Sequence, residues 1–183
     1  MKTKILAIFL AIALTSSAFA VSDIAIGPFF GMNIPIANKD AKSGSMFGLQ
    51  ARFSPMPLVA IGGHFQSRKF GDPSEDFFYG SDTKDGGKIS SIGLDAYIGK
   101  TAGTGANIYF MASLGSYKWK RDNQADVSKM AYQFGPGLEI VLPMGIGIEG
   151  KALLEVAPTG NSGSWKNFIW SVGANYHFGL GPM

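Results

Sequence analysis

The sequence predicts an all-β chain: an eight-stranded antiparallel up-and-down transmembrane β-barrel with a cleaved N-terminal signal peptide. Three observations carry that expectation. Apolar residues recur at every second position through eight separate stretches, which is the period of a strand with one greasy and one polar face. The connections between those stretches alternate long and short. Charged residues make up 16% of the chain, below the roughly 25% usual in soluble domains, so something other than a charged surface must keep the protein dispersed. A lipid environment would do so.

Met1 to Ala20 reads as a processing segment. Lys2 and Lys4 form a basic start, Ile5 to Leu14 is an unbroken apolar run, and Ala18-Phe19-Ala20 is a small-x-small cleavage site. The run is too short to span a bilayer as a helix, so the expectation is a secretory signal cut after Ala20. The domain boundaries are then 1–20 for the signal peptide and 21–183 for a single barrel domain. With no cysteine anywhere, disulfides, thiol chemistry and a lipid-modified N-terminus are all excluded. The 16 basic residues fall to 14 once Lys2 and Lys4 are removed, against 13 acidic. That near-neutral balance gives no footprint for nucleic acid.

The strands follow in order. The first alternates Ile24, Ile26, Pro28, Phe30, Met32, Ile34 and Ile36 against Gly27, Gly31 and Asn33. The second sets Phe47, Leu49, Ala51 and Phe53 against Gly48, Gln50 and Arg52. The third sets Val59, Ile61, Gly63 and Phe65 against Ala60, Gly62 and His64, a short span that should extend through Arg68 to cross a membrane. The fourth opposes Ile92, Leu94, Ala96 and Ile98 to Gly93, Asp95 and Tyr97. The fifth opposes Ile108, Phe110, Ala112 and Leu114 to Tyr109, Met111 and Ser113. The sixth runs Tyr132, Phe134, Pro136, Leu138, Ile140 and Leu142 against Gln133, Gly135, Gly137 and Glu139. The seventh runs Ile146, Ile148, Gly150, Ala152, Leu154 and Val156 against Gly147, Glu149, Lys151 and Glu155. The eighth places Phe168, Trp170, Val172, Ala174, Tyr176 and Phe178 opposite Ile169, Ser171, Gly173, Asn175 and His177. No apolar-face position carries a charge, a partly independent check on a register chosen from apolar residues.

The long connections are Ala37 to Ser45, Lys69 to Lys88, Lys120 to Lys129 and Pro158 to Asn167. The short ones are Ser54 to Pro57, Thr101 to Gly105 and Pro143 to Gly145. Short periplasmic turns and long extracellular loops have this asymmetry in outer-membrane barrels, and an even strand number leaves both termini periplasmic. A soluble ligand-carrying barrel would also have eight strands, but with the apolar face inward. The polar face decides: it is rich in glycine with few charges, which suits a crowded lumen and not a solvated exterior. Pro28 and Pro136, each in a Gly-Pro pair, remove ladder donors inside strands, so a bulge or kink is expected at both.

With these patterns in place, the chain resembles the small eight-stranded outer-membrane barrels typified by the OmpA transmembrane domain and OmpX. The resemblance rests on topology across Val21 to Phe178 and not on a diagnostic motif. It implies residence in the bacterial outer membrane, contact with lipid and lipopolysaccharide, and a monomer without cofactor. It also makes Tyr176 and Phe178 the aromatic-ended signal read by the barrel-assembly machinery, although Gly179 to Met183 trail after it.

Several residues could carry chemistry. Arg52, Asp95, Glu139, Glu149, Lys151 and Glu155 all fall on the inward face. They form either an ion path, a catalytic carboxylate pair, or a salt-bridged plug, and the narrow lumen of eight strands favours the plug. His64 and His177 are the only histidines. Too few for metal spacing, they also lack an evident serine partner for lipid hydrolysis at the outer leaflet. Lys69 to Lys88 holds five acidic residues around Asp76, Phe77, Phe78 and Tyr79, which reads as a solvated loop or as an anchor for an extracellular partner. Phe47, Phe65, Tyr132, Phe168 and Trp170 on one rim, and Phe53, Tyr176 and Phe178 on the other, fit interfacial girdles. The function expected is non-enzymatic: envelope integrity or surface interaction, with a narrow pore or hydrophobic-solute conduit as the alternative.

Overall fold

The computed structural model describes residues 23–36, 43–69, 88–120, 127–159 and 163–179. Eight strands follow in chain order: β1 (Asp23–Pro35), β2 (Gly44–Met56), β3 (Val59–Lys69), β4 (Lys88–Gly99), β5 (Gly105–Lys120), β6 (Val127–Val141), β7 (Ile146–Thr159) and β8 (Gly163–Phe178). Each pairs antiparallel with its chain neighbours, and β1 pairs with β8 to close the barrel. Closure leaves no unpaired edge, the condition for crossing a membrane with strands.

The period-two pattern becomes a two-faced wall. On β2 buried and exposed residues alternate without interruption from Gly44 to Ser54. Outward residues are apolar: Leu94 is 76% exposed, Ile98 70% and Phe30 61%. The carboxylates of Asp23, Asp95, Glu139, Glu149 and Glu155 are buried inside. This inverts the arrangement of a soluble ligand-carrying barrel, and only a lipid phase can cover such an exterior without aggregation. The expected girdle residues Phe47, Phe65, Tyr132, Trp170, Phe53, Tyr176 and Phe178 are all outward. Tyr176 and Phe178 meet edge to face with centroids 4.7 Å apart.

Lumen glycines make room for large side chains opposite. A Cβ at Gly137 would lie 2.3 Å from the Tyr109 ring, and one at Gly48 would lie 2.3 Å from the Phe29 ring. The interior is therefore filled by fitting rings against bare backbone.

Four sequence expectations need correction. The strands run further than the apolar residues indicate, because backbone pairing continues where the outward face turns polar. The expected connection from Pro158 to Asn167 shrinks to residues 160–162, since Thr159 pairs with Gly163, so the alternation of long and short connections expected from the sequence does not hold after β7, where the connection is shorter than those after β4 and β6. The turn after β2 sits at Pro57-Leu58, with Ser54 to Met56 still in the strand. Neither Gly-Pro pair makes a bulge. Around Pro28 the β1–β8 ladder lapses between Ile26 and Phe29 and resumes in the same register, and around Pro136 the β6–β7 ladder does the same. The preceding glycines explain why: a Cβ at Gly27 would meet the Ala174 carbonyl at 1.9 Å, and one at Gly135 the Ala152 carbonyl at 2.1 Å. Bare backbone there lets the neighbouring strand stay close where the proline donates nothing. The register shift that does occur lies between Phe53 and Met56, beside a turn.

The expected cleavage site at Ala18 and Ala20, the loop residues Asp76 to Tyr79, and the tail beyond Gly179 lie outside the described residues.

Candidate functional site: the charged lumen

The inward face of the wall carries every described carboxylate, both described arginines and both histidines. It is organised in tiers from the short-turn end to the long-connection end.

At the short-turn end, His177 on β8 stands between two carboxylates. Its Nδ1 is 2.6 Å from Asp23 Oδ2 and its Nε2 is 3.0 Å from Glu139 Oε1. A neutral imidazole has one donor. Two carboxylates at its two nitrogens therefore require one further proton, held by the ring or shared with an acid. Asn175 Nδ2 donates to the same Glu139 oxygen at 2.7 Å.

The next tier centres on Arg52. Glu139 and Glu149 are directly opposite across β6 and β7, a like-charge pairing that is unfavourable unless a cation bridges it. Arg52 supplies the bridge, bonding Glu139 through Nη2 and Glu149 through Nη1, the latter at 3.2 Å. Its guanidinium carbon lies 5.5 Å and 5.4 Å from the ring centroids of Tyr97 and Tyr109. Glu149 also accepts from Tyr109 and Gln50, and Lys151 Nζ is 3.3 Å from its Oε2. Each carboxylate is thus held by several donors, as burial of a charge demands.

Midway along, His64 Nδ1 approaches Asp95 Oδ1 at 2.8 Å, and the Tyr97 hydroxyl donates to Asp95 Oδ2 at 3.3 Å. Ser113 is the cross-strand neighbour of Asp95. Acid, base and hydroxyl therefore gather in one place, but the Ser113 hydroxyl makes no hydrogen bond to the ring, and all three residues are buried in the lumen. Beyond them Phe29, Met46, Met111, Leu153 and Ile169 form an apolar layer. A cavity of about 10 Å³ lies among these residues with His64, Gln66, Gln133 and Lys151 on its wall. That is room for about one water molecule.

The tier nearest the long connections is a second ion pair. Arg68 donates both Nη groups to Glu155, at 2.6 Å for Nη1 to Oε1. Gln133 Nε2 and Asn167 Nδ2 also donate to that carboxylate at 2.7 Å and 2.9 Å.

Of the six charges singled out by sequence, Arg52, Glu139, Glu149 and Lys151 meet in one tier. Asp95 stands apart with His64, and Glu155 pairs with Arg68. Two participants were not singled out. Arg68 and Asp23 each continue the inward parity of their strands, so carrying the period two residues past His64's neighbour Gln66, or one before Ile24, would have found them. His177, named in the sequence only as one of two lone histidines on the polar face, is 3% exposed and links β8 to Asp23 on β1 and Glu139 on β6. Across these tiers, five carboxylates face Arg52, Arg68 and Lys151 among the described residues.

Neither a protein-family model nor a curated protein sequence matches the chain. Solved structures do. Neisserial surface protein A is similar at 10% identity over 87% of this chain and 97% of that one, with a TM-score of 0.57. The N-terminal β-barrel domain of Pseudomonas aeruginosa OprF is similar at 16% identity over 85% and 97%, with a TM-score of 0.53. Ail, the attachment invasion locus protein of Yersinia pestis, is similar at 22% identity over 86% and 97%, with a TM-score of 0.52. Identities this low speak to architecture alone. The architecture is that of the small eight-stranded outer-membrane β-barrels.

Proposed function

We propose that this protein is a non-enzymatic outer-membrane barrel whose lumen is closed by its own side chains. It would serve envelope integrity or surface interaction through the long connections. The observation that carries this reading is the tiered lumen: two ionic clusters, each with every carboxylate held by several donors, enclose an apolar layer whose cavity holds about one water. Such an interior supports no steady ion path. The reading orients the short turns and both termini toward the periplasm and the long connections outward. It makes Tyr176 and Phe178 the signal for the barrel-assembly machinery. A nucleophile without a base in hydrogen-bond reach argues for a non-enzyme.

Planar-bilayer recording of the refolded protein tests the plug. A silent bilayer is expected; steady single-channel steps would favour the narrow-pore reading instead. The loop carrying Asp76, Phe77, Phe78 and Tyr79 is the proposed partner contact. Deleting 72–85 should leave folding intact and abolish adhesion of expressing cells to a partner surface, whereas unchanged adhesion would remove the loop from the proposal.

A further inference from the structure

The connections at the short-turn end do not behave alike. Two of them, at Pro57-Leu58 and Pro143-Met144, are exposed, with Leu58 at 62% and Met144 at 67%. The connection from β4 to β5 turns inward instead: Thr101 is 0% exposed and Ala102 4%. Connecting backbone ordinarily stays at the surface, because buried peptide groups must find partners. This one finds them. The Thr101 N–H donates to the Pro57 carbonyl at 2.8 Å. The Lys100 ammonium donates to the carbonyls of Thr104 and Ala106 at 3.4 Å and 3.0 Å.

Two inward-facing side chains hold the connection from opposite sides. Ser54 Oγ on β2 donates to the Thr101 carbonyl at 3.3 Å, and Asn107 Nδ2 on β5 donates to the Gly103 carbonyl at 3.0 Å. Both side chains are buried in the lumen. β3 and β4 stand between β2 and β5 in the barrel order, so residues 101–103 run across the mouth and not along its rim. That path needs left-handed backbone at Gly103, with φ +91°, and at Gly105, with φ +85°. A Cβ at either position would meet nothing within 4 Å. Backbone conformation, and not lack of space, calls for glycine there.

We infer that the β4–β5 connection is a strap that shuts the short-turn mouth of the lumen, a barrier separate from the ionic tiers beyond it. Ser54 and Asn107 fasten it from two walls, and Thr101 and Ala102 lay small uncharged side chains between them. The fastenings are neutral hydrogen bonds, each of modest net strength, so the strap opens without breaking any ion pair. Opening gives small solutes access to the Asp23–His177–Glu139 tier, while the Arg52 bridge behind it stays closed. The lumen then has two barriers in series. This deepens the closed-lumen reading given under Proposed function, but the strap's own contacts stand without that reading.

Thiol labelling of the refolded protein in detergent tests the inference. The chain has no cysteine, so a single introduced thiol reports one position. Ala102→Cys, treated with ethylammonium methanethiosulfonate, should react about tenfold or more slowly than Met144→Cys on the exposed turn, as expected of a site reached only by local opening. Equal rates would overturn the strap, and this comparison needs no variant that disturbs it. Adding Ser54→Ala or Gly103→Val to Ala102→Cys should raise the rate about fivefold or more, the scale of one lost buried hydrogen bond or one side chain forced into left-handed backbone. Unchanged rates in both would overturn the fastening. Gel mobility before and after boiling verifies that each variant is folded. Planar-bilayer current through Gly103→Val separates the strap from the plug. A silent bilayer with faster labelling supports two barriers in series. Steady steps with faster labelling would keep the strap as the barrier and remove the ionic tiers as a plug.

Discussion

Replacing Arg52 with methionine should destabilise the barrel by about 3 kcal/mol, and the reason can be worked from its contacts. At the 3.2 Å separation between Arg52 and Glu149, one ion pair is worth about 5 kcal/mol before desolvation, taking an effective dielectric near 20. Arg52 makes two such pairs, but removing it does not strand both carboxylates completely. Lys151 remains 3.3 Å from Glu149, and His177 remains 3.0 Å from Glu139. The loss therefore falls at the low end of the roughly 3–5 kcal/mol that breaking a buried pair costs. That corresponds to about a hundredfold in the folding equilibrium. Urea unfolding in lipid vesicles, followed by tryptophan fluorescence and gel mobility, measures it. The triple variant Arg52→Met, Glu139→Gln, Glu149→Gln should recover more than half of the loss, since it removes the facing charges together with their bridge. A loss below about 1 kcal/mol, or no recovery in the triple variant, would refute the bridging role.

Three further outcomes follow from the same geometry. His177 ties β8 to β1 through Asp23 and to β6 through Glu139, so His177→Ala leaves two buried carboxylates each short of a partner and should cost about 1–3 kcal/mol in the same urea assay. A loss below about 0.5 kcal/mol would count against the trio. Gly137→Ala places a methyl 2.3 Å from the Tyr109 ring and should cost about 1–3 kcal/mol by overpacking. Adding Tyr109→Leu should relieve that clash in the same urea assay, beyond the cost of Tyr109→Leu in the parent. Leu94→Arg puts a charge on the most exposed large apolar position of the wall and should cost about 2–4 kcal/mol if that face meets lipid, against well under 1 kcal/mol if it meets water.

Much of the architecture was legible because a strand's period is two and the chain keeps it. Leu94 and Asp95 are neighbours in sequence, so alternation put them on opposite faces, and the glycine-rich, charge-poor character of the polar face assigned Asp95 to the lumen and Leu94 to lipid. What alternation could not convey was pairing across the barrel. Arg52 and Glu139 are far apart in sequence, and only closure and register bring them together. Strand ends were also hidden. Lys69 and Lys88 interrupt the apolar pattern, so they read as loop residues, although backbone pairing continues through them. Asp23 was lost with such an end, whereas Arg68 lay inside the expected extension of the third strand but was not read with the inward charges, although both have the correct parity. The Gly-Pro pairs were misread for a different reason. Proline's missing donor argued for a bulge, while the close approach permitted by Gly27 and Gly135 became evident only with the neighbouring strand in place.

The most direct test of the central claim, a closed barrel embedded in the outer membrane, is electrophoretic mobility of the protein extracted from outer-membrane fractions, with and without boiling. The account predicts a folded form that resists detergent at room temperature and migrates at a different apparent mass from the boiled chain. Identical mobility in both samples, or recovery of the protein in the soluble fraction, would contradict it.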